Sequence, residues 1–133
     1  MAQKVVRTNR QLLELIRNLN STAVDKGSKK EAKIQKIATK IRKYFEEYNE
    51  KREDLRLEHA HVNKDGVLEL NEEGGYRFTK EGLKALNKDL TKLLDQEFEF
   101  YQFTFSKEGI DDLTFLEGWV EGIEAPVIND EEL

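Results

Sequence analysis

The chain has no cysteine in its 133 residues. Disulfides, thiolate nucleophiles and Cys-ligated metals are therefore excluded, and the absence suits a reducing cytoplasm. Proline occurs once, at Pro126, so nothing upstream of it forbids long uninterrupted helices. Histidine occurs only at His59 and His61, and no further His or Cys exists to complete a transition-metal site. No apolar run approaches the roughly 18 residues of a membrane span. Met1 to Arg7 lacks the apolar core of a signal peptide, so a soluble intracellular protein without membrane association is expected. Gly74-Gly75 and Gly82 do not form a phosphate loop, because neither a P-loop lysine pattern nor GxGxxG is present. There is also no Ser/His/Asp arrangement at recognised spacing. Neither catalysis nor a cofactor or metal site is expected.

What is present is charge and regular apolar spacing. Charged residues make up 37% of the chain and hydrophobic residues 38%, including seven Phe, four Tyr and one Trp. That balance and the length fit one folded domain over residues 1–133. The net charge of −5 is unevenly spread. Lys26 to Lys43 holds eight basic residues and one acid, whereas Asp95 to Leu133 holds twelve acids and one lysine. The basic segment suits an anionic partner. The acidic segment repels nucleic acid, and either meets a basic partner or folds back onto the lysines.

Along the chain, residues 1–27 read as a short strand at Gln3–Arg7 and a first helix. Thr8 to Gln11 forms a capping box, and Leu12, Leu15, Ile16 and Leu19 follow at helical spacing. After the breaker Gly27, residues 28–60 read as one long helix capped by Ser28, with Glu31 at its third position. Its length would be about 50 Å. Ile34, Ile37, Ala38, Ile41, Phe45, Tyr48 and Leu55 form an apolar seam, partly at heptad spacing. The seam could hold the first helix, a later helix or a second copy of itself. Residues 61–78 carry turn signals at Asn63 to Gly66 and at Gly74-Gly75, which predicts a hairpin-like excursion. Residues 79–95 form a helix capped by Thr79, with Leu83, Leu86, Leu90, Leu93 and Leu94 on one face. It is the natural antiparallel mate of the long helix. Residues 97–105 read as an aromatic strand whose alternation slips at Phe100-Tyr101. Residues 106–133 read as a short helix, with Leu113, Leu116, Trp119, Val120 and Ile123 on one side, followed by an acidic tail. No internal repeat is evident. The fold class is α+β and helix-dominated: a long antiparallel helix pair with a small antiparallel sheet.

Two candidate sites emerge. Lys29, Lys33, Lys36, Lys40 and Lys43 step by three and four, so they share one helical face that would attract phosphates or an acidic partner. The competing reading is a solvated face screened by the protein's own acids. Lysine is a point charge rather than a bidentate reader, and no base-reading motif accompanies the stripe. The second site is the junction His59, His61 and Asp65. His-x-His shares a face on a strand but not at a helix end, so packing or solvation of each His competes with ligation.

The order of these pieces resembles a family. A capped Asn9-x-Gln11-Leu12 helix and a Lys-rich loop come first. A long charged helix then runs into Leu57-Glu58-His59-Ala60-His61 and an Asp65-Gly66 turn. Phe78-Thr79, a Leu-rich helix and Leu94-Asp95-x-Glu97-Phe98 follow. Over Val5 to Phe105 this resembles small tailed-phage proteins grouped as domain-of-unknown-function family 1617. The resemblance implies a phage or prophage origin and a product acting in the cytoplasm of an infected bacterium or in the virion. It supplies no site residues. The expected function is a non-catalytic accessory that binds a host or phage protein, including an inhibitor of host defence. The alternatives are a virion structural or assembly accessory, and nucleic-acid or nucleotide binding through the lysine stripe. Either a monomer or a homodimer through the long helix is compatible with the sequence.

Overall fold

The computed structural model describes residues 3–123. The acidic tail expected from Ala125 onward lies outside the described residues. The chain divides into two compact units, residues 1–43 with 97–133, and residues 44–96.

In the first unit, β1 (Lys4–Thr8) pairs antiparallel with β2 (Glu97–Tyr101), placing Val5 opposite Phe100 and Arg7 opposite Phe98. Thr8 ends the strand and caps α1 (Asn9–Ser21). Its hydroxyl accepts from the Gln11 N–H at 3.2 Å, and its own N–H donates to Gln11 Oε1 at 2.8 Å. Two otherwise unsatisfied donors are met this way, which is why the strand can turn directly into a helix. Leu12, Leu15 and Leu19 are buried on one face of α1. They share the unit's core with Ile37, Ile41, Phe100, Ile110, Leu116, Trp119, Val120 and Ile123. The rings of Phe98, Trp119, Phe100, Phe103 and Phe105 form a chain, with Phe100 edge-on to Trp119 at 5.1 Å between centroids.

Two elements of this unit differ from the sequence expectation. The aromatic strand stops at Tyr101 instead of reaching Phe105. The Gln102 N–H still donates to the Gln3 carbonyl, but Phe103 changes partner. Its N–H donates to the Trp119 carbonyl and its own carbonyl accepts from Glu121, making a parallel bridge to Val120. The alternation therefore slips at Gln102-Phe103. Tyr101 keeps its outward place, and Gln102 takes the buried position that the pattern would give to an apolar residue. The short helix expected after Ser106 is a single 3-10 turn, Thr114–Leu116, within a run of three-residue turns. Ile110, Leu113, Leu116 and Trp119 each donate to the carbonyl three residues back. Left-handed backbone at Gly109 and Gly118 prevents these turns from continuing as an α-helix. The apolar spacing still buries Leu116, Trp119, Val120 and Ile123.

α2 (Lys29–His59) begins where Ser28 Oγ accepts from the Glu31 N–H, while the Glu31 carboxylate reaches back to the Gly27 N–H. The helix contributes to both units: Ile37 and Ile41 are buried in the first, Tyr48 in the second. In the second unit, its C-terminal half runs antiparallel to α3 (Lys80–Leu94). At one end His59 bonds Asp89, and its carbonyl lies 3.1 Å from where a Cβ on Gly82 would stand. At the other, Lys51 bonds Gln96 just past α3. Leu86 and Leu93 are buried, whereas Leu83, assigned to the same apolar face, is 46% exposed. The fold class is thus α+β and helix-dominated, with a helix pair and a small antiparallel sheet.

Candidate functional site

Between α2 and α3 the excursion is built from two tight turns in series. In the first, Asn63 Oδ1 accepts from the N–H groups of Asp65 and Val67 at 2.9 and 3.1 Å. Asn63 also exchanges backbone bonds with Gly66 and Val67. The second turn repeats this. Asn71 Oδ1 accepts from Glu73 and Gly75, both at 2.9 Å, and the Asn71 backbone bonds Gly74 and Gly75. Gly66 and Gly74 hold φ of 77° and 84°, a left-handed conformation that a side chain would strain. Asn suits the first position because its amide oxygen can satisfy backbone donors that a turn leaves open.

These turns mark a short repeat in the sequence, which corrects the expectation that the chain has none. Val62-Asn63-Lys64-Asp65-Gly66, Leu70-Asn71-Glu72-Glu73-Gly74 and Phe78-Thr79-Lys80-Glu81-Gly82 follow one another at eight-residue intervals. In the third copy Thr79 takes the Asn position and its hydroxyl accepts from the Gly82 N–H, which starts α3 instead of another turn. The residue ahead of each copy joins a closed backbone ring. His61 N–H donates to Arg77 O at 2.7 Å, Arg77 N–H to Glu69 O at 3.2 Å, and Glu69 N–H to His61 O at 3.1 Å. Their side chains converge as well. The Glu69 carboxylate lies 3.8 Å from His61 Nε2 and 3.9 Å from Arg77 Nη1. Bridges Val62 to Leu68 and Leu70 to Tyr76 flank the ring, and Arg56 lies over the Tyr76 ring.

The three junction residues do not form one cluster. His59 Nε2 meets Asp89 Oδ2 at 2.7 Å and ties α2 to α3, whereas His61 turns to Glu69. Asp65 contributes its N–H to the first turn. Among the described residues no group of three His, Cys, Asp or Glu side chains is placed to hold a metal ion. What the tip does offer is apolar surface. Leu57, Val62, Val67, Leu70 and Leu83 are each between 46% and 58% exposed. Sequence reasoning placed the tip but missed Glu69, Arg77 and these apolar positions. The eight-residue spacing of apolar-Asn/Thr-x-acid-Gly was the signal that could have found them.

The lysine face lies in the first unit and is largely occupied by the chain itself. Lys29 Nζ bonds Glu108 at 3.0 Å, and Lys33 Nζ donates to the carbonyls of Ser106 and Glu108. Lys40 Nζ donates to the Tyr101 carbonyl at 2.8 Å and sits 4.9 and 4.7 Å from the Phe100 and Phe103 ring centroids. Lys30, outside the stripe, lies 3.7 Å from Asp112. Lys36 and Lys43 are exposed at the same face. The hydrogen bond from Lys29, with its charge, holds the Glu108 carboxyl below the usual glutamate range. An incoming anion would compete with these bonds.

No helix among the described residues is long and apolar enough to cross a membrane. Neither a protein-family model, nor a curated protein, nor a solved structure matches the chain.

Proposed function

We propose that this chain is a non-catalytic accessory protein of phage origin that binds a host or phage protein through the turn-built tip of residues 57–83. The observation that carries the reading is the exposure of Val62, Val67 and Leu70 on a frame of tight turns, with Leu57 exposed at the end of α2 and Leu83 at the start of α3. Exposed apolar side chains gathered in one region and bordered by charge are a feature of association surfaces. Side-chain and backbone bonds already fix the turns, so little ordering entropy opposes docking. The phage origin, and with it the cytoplasm of an infected bacterium as the place of action, rests on the family resemblance of the Glu-His-Ala-His stretch and its Asp-Gly turn. Inhibition of a host defence is the sharpest form of this reading, because blocking a partner needs only a complementary surface.

Occupation of Lys29, Lys33 and Lys40 by residues 101–108 supports an internal role for the lysine face over an anion-binding one. The test is a pull-down from infected-cell lysate, comparing wild type, Val67→Glu with Leu70→Glu, and Lys36→Glu. The tip reading expects a partner captured by wild type and by Lys36→Glu, and lost with the tip variant. Equal capture by the tip variant would refute it, and recovery of nucleic acid lost with Lys36→Glu would favour the lysine face.

A further inference from the structure

The two-stranded sheet leaves the outer edge of β1 open. The Gln102 N–H donates to the Gln3 carbonyl at 2.9 Å, one step beyond the Lys4–Tyr101 pair. Backbone groups alternate sides along a strand, so Val5 and Arg7 also bond β2, while those of Lys4, Val6 and Thr8 point away from it. Thr8 is already used: its N–H donates to Gln11 Oε1 and its hydroxyl caps α1. The N–H and carbonyl of Lys4 and of Val6 have no partner among the described residues. The far edge of the sheet is different. There the Tyr101 carbonyl accepts from Lys40, and Phe103 bonds Trp119 and Glu121. The side chains beside the open edge are sorted by face. Val6 is 55% exposed on the outer face, and Val5 is half-buried on the inner face opposite Phe100.

We propose that two copies of this chain join by pairing β1 with β1, antiparallel, about a twofold axis at Val5. An unpaired strand edge is a template for another strand, and this one is complementary to itself. In the Val5 register Lys4 of each copy faces Val6 of the other. Each such pair exchanges two backbone bonds, so every open group on both edges is satisfied. Neighbouring registers fail this test. A twofold axis at Val6 sets Lys4 against Thr8, whose N–H is taken. A twofold axis at Lys4 opposes like charges directly. In the Val5 register the charges on the outer face are mixed instead. Each Lys4 holds its own Glu99 at 2.9 Å and stands across Val6 from Glu99 of the other copy. On the inner face Val5 meets Val5. The contact uses the same patch on both copies, so it closes at a dimer. Ile37, Ile41 and Tyr48 of the α2 seam are buried within the chain and are not free to meet a second copy. The pairing uses none of the tip residues.

So short an edge buries less than the roughly 1,200 Å² of a stable complex, so the dimer is weak and concentration-dependent. Analytical ultracentrifugation of the full chain from about 10 μM to about 1 mM should show monomer converting to dimer. Amide exchange on the same wild-type samples reads the edge itself. The Lys4 and Val6 N–H groups should exchange freely at the low end and about tenfold more slowly at the high end. The register is read by crosslinking. The chain has no cysteine, so Val5→Cys introduces its only thiol. Non-hydrogen-bonded neighbours in an antiparallel pair stand about 4.5 Å apart at Cα, within disulfide reach. Oxidised glutathione should therefore convert Val5→Cys to a covalent dimer at least about tenfold faster than Val67→Cys, exposed on the tip. Val6→Pro removes an outward N–H without breaking a bond to β2, and should abolish the dimer. A chain that stays monomeric at about 1 mM would overturn the proposal. So would a dimer in which the Lys4 and Val6 amides still exchange freely, or equal crosslinking of the two cysteine variants. Because the exchange measurement uses wild type, it decides the matter even if Val6→Pro fails to fold.

Discussion

Replacing Asn71 with alanine isolates the energetic basis of the tip. The side chain's Oδ1 accepts from the N–H groups of Glu73 and Gly75, both at 2.9 Å. The backbone bonds of the same turn, Asn71 N–H to Gly75 O and Gly74 N–H to Asn71 O, remain available to the variant. The turn is exposed, so water can solvate the two freed amides, and each lost bond costs only about 0.5–1.5 kcal/mol net. Two bonds give about 1–3 kcal/mol, which corresponds to roughly a 5- to 150-fold rise in local opening. Amide hydrogen exchange reads that opening directly. Glu73 and Gly75 should exchange faster by that factor, and so should Arg77, whose N–H closes the backbone ring on Glu69. Leu15, buried in the first unit, should be unaffected. Asn71→Asp keeps the acceptor and should keep most of the protection. Unchanged exchange at Glu73 and Gly75 in the alanine variant would refute the reasoning, as would a uniform acceleration that includes Leu15.

Further outcomes follow from single contacts. Phe100 is fully buried and packs edge-on against Trp119, so Phe100→Ala should cost about 3–5 kcal/mol, measured by urea unfolding followed through Trp119 fluorescence. Thr79→Ala removes the cap bond to Gly82 and should cost about 1 kcal/mol, visible as faster exchange in the first turn of α3. Glu108 should titrate below an ordinary glutamate in a carboxyl carbon NMR titration, and Lys29→Met should return it toward the ordinary value. Because its folded pKa is lowered, the Lys29–Glu108 contact stabilises the fold above the unfolded pKa. That contribution is lost as pH falls through the folded pKa.

Local chemistry was legible in the sequence. Thr8 with Gln11, Ser28 with Glu31, and Thr79 each start a helix where their spacing predicts, because a cap depends only on residues three apart. The antiparallel partnership of the two longer helices was legible from matching apolar faces. The end of β2 was not. Phe103 leaves the sheet because Val120, distant in sequence, offers it a parallel bridge, and no window around Phe103 contains that information. The run of turns after Ser106 was hidden because its apolar spacing near three is shared by 3-10 turns and α-helices. At the candidate site, the turn signals at Asn63 and Gly74 marked the tip. The meeting of His61, Glu69 and Arg77 depended on stacking two turns in register.

In the proposed function the turn-built tip, and not the lysine face, contacts the partner. Site-specific photo-crosslinking in infected cells tests it directly, with a benzoyl-phenylalanine placed at Val67 in one variant and at Lys36 in another. Both positions are exposed, so neither probe disturbs a core. A discrete crosslinked protein is expected from Val67 and none from Lys36. A discrete crosslink from Lys36 with none from Val67 would contradict it.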